Sequence, residues 1–143
     1  MISVALALSL RDAGVRWTPA DGDRFVVESL LDEGAEPNVF TVSEMTIEEH
    51  RYETGSVLGF NGTTEWALDS VALEDALWLP AEHQLRALLG GTFAALERTA
   101  EGFRVTTSAP AGSGDARAFD APVCEDAYAE ALLALVRSAV ETA

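Results

Sequence analysis

Leu6, Leu10 and Ala13 recur at helical spacing behind Ile2, and Gly14 follows them. This predicts a helix over residues 3–13 that stops where glycine can take left-handed backbone. A turn-rich stretch from Val15 to Asp23 then leads into Arg24-Phe25-Val26-Val27-Glu28. That run is β-branched and aromatic, which predicts a strand. Residues 29–37 carry acids, Gly34 and Pro37 and read as a loop. Val39, Phe40, Val42, Met45 and Ile47 predict a strand to about Ser43, or a longer bent one over 38–49.

Val57 to Leu68 has two apolar runs around Asn61-Gly62. Asn-Gly between such runs is the signal of a hairpin, because both turn residues need positive φ. On its second strand Thr64, Trp66 and Leu68 share one face, and Glu65, Ala67 and Asp69 share the other. Ala76-Leu77-Trp78-Leu79 reads as a short apolar strand. Pro80 then opens a helix whose stripe is Leu85, Leu88 and Leu89, ended by Gly90-Gly91. Phe93–Arg98 and Phe103–Thr107 predict a second hairpin around Glu101-Gly102. Pro110, Gly112, Ser113 and Gly114 make residues 108–119 a flexible loop. A last helix is expected from about Pro122 to Thr142, with Asp120 upstream as its cap. Hairpin-joined strands imply antiparallel pairing. The expected fold is α+β: one antiparallel sheet of about five to seven strands, with N-terminal, central and C-terminal helices packed on it. No repeat or composition break divides residues 1–143, so a single domain is expected.

Composition changes the picture through charge. Apolar residues make up 48% and charged residues 23%, an ordinary globular balance. The 24 acidic residues against nine basic ones leave −15, and all nine basic residues are arginine. The absence of lysine excludes a Schiff-base lysine and a P-loop lysine. The negative balance speaks against nucleic acid and acidic membrane surfaces as partners and favours fast encounter with basic ones. Ile2 to Leu10 has the length of a signal core, but no basic residue precedes it and Arg11-Asp12 follows it directly. No run approaches the ~18 apolar residues of a membrane span, so a cytoplasmic protein is expected.

Catalytic patterns fail one by one. His50 and His83 lie far apart, with Glu48 and Glu49 beside the first and Glu82 beside the second. No HExxH or paired-histidine spacing exists, and solvated polar faces are expected instead of a metal site. The single cysteine, Cys124, sits at a helix start among Asp120, Glu125 and Asp126. Those acids oppose a reactive thiolate, so an inert thiol is expected. No nucleophile elbow, Walker or dinucleotide-binding loop is present, and no cofactor is expected. The carboxylate pairs Asp21/Asp23 and Glu65/Asp69 read as solvated turn and strand acids. Trp17, Trp66 and Trp78 each precede or enter a β element. They read either as core or as an aromatic hot spot on an exposed sheet face.

Three segments carry a resemblance: Trp17-Thr18-Pro19-Ala20-Asp21-Gly22-Asp23-Arg24-Phe25, Gly59-Phe60-Asn61-Gly62-Thr63-Thr64-Glu65-Trp66-Ala67-Leu68-Asp69, and Leu77-Trp78-Leu79-Pro80 with Gln84-Leu85. The pattern resembles an uncharacterised family of small actinobacterial proteins, related to short proteins of phage-like regions. The resemblance spans nearly the whole chain. Members often carry the automatic name "pilus assembly protein". The assembly ATPases behind that name have a phosphate-binding loop and a much longer chain, and this sequence has neither. The resemblance therefore implies a family and no activity.

Two functional expectations follow. The first is a non-enzymatic acidic module that contacts a protein partner, one that is basic and is masked by the contact. An exposed aromatic sheet face would also favour a homodimer. The second is a small-ligand or hydrolytic site where the Trp17–Asp23 turn meets the Trp66 strand, or around His83. The residues that would carry a site are Trp17, Asp21, Asp23, Glu65, Trp66, Asp69, Trp78 and His83.

Overall fold

The structure, a computed structural model, describes residues 1–31, 37–42, 47–52, 55–60, 70–72, 75–108 and 116–141. It is α+β, with helices at the N-terminus, centre and C-terminus and antiparallel pairing in every ladder. The strands fall into three three-stranded sheets among the described residues, not into one. The chain divides into two compact units, Met1–Arg16 with Pro80–Ala143, and Trp17–Leu79.

In the first unit, α1 (Val4–Asp12) is capped by Ser3, whose hydroxyl accepts from the Leu6 amide at 3.3 Å. It ends before Gly14, whose φ of +107° is left-handed backbone that favours glycine. The second helix, α2 (Glu82–Leu89), starts later than Pro80 because Ala81 is extended and serves as its cap. The Ala81 amide donates to Gln84 Oε1 at 2.9 Å, which satisfies a backbone group left over at the helix start. Strands β7 (Phe93–Arg98) and β8 (Phe103–Thr107) form the expected hairpin.

Two expectations near the C-terminus need correction. Residues 109–115 of the expected loop lie outside the described residues, but Arg117–Ala121 forms a strand, β9, paired with β8. Asp120 is therefore a strand residue that pairs with Arg104, not a helix cap. The helix, α3, runs Cys124–Glu141. It packs on β8 and β9 and on α1 and α2. Ala127, Tyr128, Ala129, Ala131, Leu132 and Leu133 of α3 are buried, as are Ile2, Ala7 and Leu10 near α1, Leu85 and Leu89 of α2 and Val105 of β8.

In the second unit, β1 (Arg24–Val27) lies between β2 (Phe40–Thr41) and β6 (Ala76–Leu79). Phe25, Val26 and Val27 are all buried, so both faces of β1 are covered. β2 offers only two residues of pairing and is the outer strand of this sheet among the described residues. β3 (Ile47–Tyr52), β4 (Gly55–Phe60) and β5 (Ser70–Ala72) make the other sheet. Val57, Leu58 and Gly59 of the expected hairpin lie in β4, paired with β3 and β5. The Asn61-Gly62 turn and the strand through Trp66 lie outside the described residues.

Candidate functional site

The Trp17–Asp23 segment is a built corner. Asp23 N–H donates to Ala20 C=O at 3.0 Å, and Gly22 between them has φ +91°. Positive φ at the third position of such a turn requires a residue like glycine. Gly22 N–H also donates to Val42 C=O, and Val42 N–H to Asp23 C=O, which ties the turn to the start of the sheet.

Asp23 is not a solvated acid: it is 6% exposed. Its Oδ2 accepts from Trp17 Nε1 at 2.9 Å and from the Ala20 amide at 3.0 Å. A buried carboxylate needs such donors to replace water. Asp21, two residues earlier, is exposed. The two acids therefore do not act as a pair. The Trp17 ring lies against the Phe25, Val27, Val42 and Ala76 cluster. It stacks on Trp78 with centroids 6.5 Å apart and meets Phe25 at 5.5 Å with the rings tilted by 38°. Trp78 stands opposite Phe25 in the ladder. Its Nε1 is shielded from solvent and has no hydrogen-bond partner among the described residues.

Of the eight expected site residues, the structure brings together Trp17, Asp23 and Trp78. Asp21 stays apart in solvent. His83 is exposed in the first turn of α2. Glu65, Trp66 and Asp69 lie outside the described residues.

A second grouping was not anticipated as a group. The first turns of α2 and α3 meet, and ligand-type atoms of Glu82, Cys124 and Glu125 lie within 4.8 Å of one another. All three side chains are half-buried. Cys124 Sγ is 3.8 Å from Glu82 Oε2. Tyr128, one turn after Cys124, is wholly buried, and its hydroxyl is 3.4 Å from Glu82 Oε1. The Met1 ammonium is 3.1 Å from Glu125 Oε2. Asp126 turns away and accepts from the Ser3 amide at 2.7 Å.

Burial pushes the Cys124 thiol up to about 11, and the Glu125 and Glu82 carboxylates add to the effect. Of the three acids expected to oppose a thiolate, Glu125 acts on the thiol, whereas Asp126 accepts from Ser3 and Asp120 pairs with Arg104; Glu82 was not anticipated. Burial alone raises Glu125, but a backbone hydrogen bond and the Met1 ammonium outweigh it and hold its carboxyl below the usual range. Burial, then Glu82, raises the Tyr128 hydroxyl, with Arg86 opposing. Sequence spacing shows Cys124 and Tyr128 one turn apart on α3. Nothing in it places Glu82 beside them.

The hollows of the first unit are open. One of about 300 Å³ lies between the β7–β8 turn and the β9–α3 corner, lined by Glu101, Arg104 and Asp120. Arg104 and Asp120 are exposed on its wall and hold each other through two hydrogen bonds, of 2.8 and 3.2 Å. No helix among the described residues is long and apolar enough to cross a membrane. Comparison with protein-family models, with curated proteins and with solved structures gave no match for this chain.

Proposed function

We propose that this protein is a non-enzymatic acidic interaction module whose partner is a basic protein surface, met mainly by the Trp17–Leu79 unit. The observation that carries this is the uneven division of charge. Trp17–Leu79 holds 14 acidic residues against Arg24 and Arg51 alone, a balance of −12. Met1–Arg16 with Pro80–Ala143 holds ten against seven arginines, a balance of −3. Two units of one chain with such different balances steer a basic partner toward one of them. The second reading, a ligand or hydrolytic site at the Trp17–Asp23 turn, calls for an acid free to bind or to move protons. Asp23 Oδ2 already accepts two hydrogen bonds, which favours a bracing role for it.

The test is capture by the tagged full chain from its own lysate, at about 50 mM and about 500 mM salt, with mass spectrometry of what co-elutes. Screening over this range shortens the reach of surface charge severalfold. The expected result is a stoichiometric basic protein retained at low salt and lost at high salt. Asp21→Asn with Asp75→Asn should weaken that capture more than Glu97→Gln with Glu101→Gln. The absence of a stoichiometric partner at either salt overturns the proposal, and a chain that binds only itself replaces it with a homodimer.

A further inference from the structure

We infer that the face of Trp17 turned away from Trp78 is the anchor point for an arginine side chain of the basic partner. This anchor belongs to the acidic module proposed above and rests on that reading.

The packing leaves Trp17 one face to offer. Trp78 stacks on the other face of the ring, with the planes 6° from parallel and the centroids 6.5 Å apart. Phe25 meets the ring at a tilt of 38°. Trp17 is nevertheless only half-buried, so the face away from Trp78 is the part left to solvent. The ring is also held still, because its N–H is tied to Asp23 and the Asp23 backbone is tied to Val42. A side chain already fixed in place loses little freedom when a partner arrives.

The electrostatics of that face favour a cation. The face of an aromatic ring is the negative side of its quadrupole, and tryptophan attracts cations best. The Trp17 N–H donates to Asp23 Oδ2 at 2.9 Å, and that acid is buried. A hydrogen bond to a carboxylate away from water polarises the donor, which adds to the negative charge the indole face presents. Asp21, exposed in the same turn, supplies a second carboxylate. The Trp17–Leu79 unit has only Arg24 and Arg51 against its 14 acids, so it has little positive charge of its own to compete.

The chain makes this kind of contact within itself elsewhere. Arg86 lies 4.4 Å over Phe93, and Arg117 lies 5.2 Å over Phe119. Among the described residues no cation stands over Trp17, although an indole serves better than a phenyl ring. Arginine suits the position better than lysine. Its planar guanidinium stacks on an aromatic face, gives up water more readily, and keeps its edge N–H groups for a carboxylate.

The experiment uses the full chain and two probes of equal charge, a nine-arginine and a nine-lysine peptide, at about 50 mM salt. The nine-arginine peptide should bind the unaltered protein at least about fivefold more tightly, and the Trp17 indole N–H resonance should shift more than that of Trp78. Trp17→Leu should bring the two affinities within about twofold of each other. Asp23→Asn keeps an oxygen for the indole N–H but removes the charge behind the ring, and should weaken nine-arginine binding about threefold. Glu97→Gln removes one charge from the other unit and should change it less than about twofold. The resonance shift is read on the unaltered chain, so a variant that fails to fold does not decide the matter. Equal affinities for the two peptides, a Trp17 resonance that stays still, or an arginine preference that survives in folded Trp17→Leu overturns the inference and leaves the acidic module standing. Failure of both peptides to bind overturns both.

Discussion

Trp17 Nε1 and Asp23 Oδ2 stand 2.9 Å apart, a hydrogen bond between an indole and a buried carboxylate six residues later in the chain. The same oxygen takes the Ala20 amide, so one atom closes both the turn and the seat of the Trp17 ring. Removing the carboxylate leaves both donors without it. Asp23→Ala should therefore lower stability by about 1–3 kcal/mol, the usual cost of stranding buried polar groups. Exposed Asp21→Ala should stay within about 0.5 kcal/mol. Urea denaturation followed by tryptophan fluorescence measures both. Equal midpoints for the two variants would contradict the bracing role.

Gly102 is the one glycine of the β7–β8 turn, and its backbone presses on the β9–α3 corner. A methyl group there would run into the Ala121 carbonyl oxygen and stand 2.6 Å from Pro122 Cα. Both obstacles are backbone, so neither can swing aside. Gly102→Ala should cost about 1–3 kcal/mol, in the range of overpacked sites. At Gly91, where nothing lies within 4 Å of an added Cβ, the same change should be mild. Thermal melts of the two variants make the comparison, and a mild Gly102→Ala would mean that the corner can open.

Cys124 should be a slow thiol. Its pKa rises from an ordinary 9.0 to about 11, because burial and two carboxylates disfavour the thiolate. Alkylation by iodoacetamide at pH 8 should lag far behind that of the unfolded chain and accelerate as pH climbs toward 11. Glu125→Gln should speed it. The sign for stability follows. The neutral thiol is preferred in the folded state, so its contribution is complete below about pH 9 and is lost as pH rises through 11. A pH–rate profile with its midpoint near 9 would contradict the account.

Arg104 and Asp120 present the opposite case. Their two hydrogen bonds hold the Asp120 carboxyl below the usual range, but the pair lies on the surface with about half of each side chain open to solvent. Water screens such pairs, and their side chains lose freedom in making them. Arg104→Gln should leave the thermal midpoint unchanged while raising the Asp120 pKa toward its ordinary value, which NMR titration of the carboxyl resolves. A clear drop in the midpoint would show the pair to be structural.

Local pattern carried much of the architecture. α1 and the strands Arg24–Val27, Ala76–Leu79, Phe93–Arg98 and Phe103–Thr107 were legible from residue type and spacing. Each buries an apolar stripe, or alternates, or ends at a glycine or proline, and these are properties of neighbouring residues. β9 was not legible. Arg117-Ala118-Phe119-Asp120-Ala121 has little β-branched content, and its strand forms because β8 offers a ladder. Chain order also does not say how many sheets the strands share, since that depends on which strands pair, and the described strands pair in three groups.

The sequence by itself determined the charge of −15, the lack of lysine and the turn chemistry of Asp21-Gly22-Asp23. Tertiary structure decided which acids are which. Asp21 and Asp23 differ by two positions, yet one is in solvent and the other binds Trp17, because the turn points them apart. Glu82 and Cys124 are 42 residues apart and meet only through packing of α2 on α3. Burial and charge proximity are properties of the folded chain, so the raised Cys124 thiol and the cluster around it could be found nowhere else.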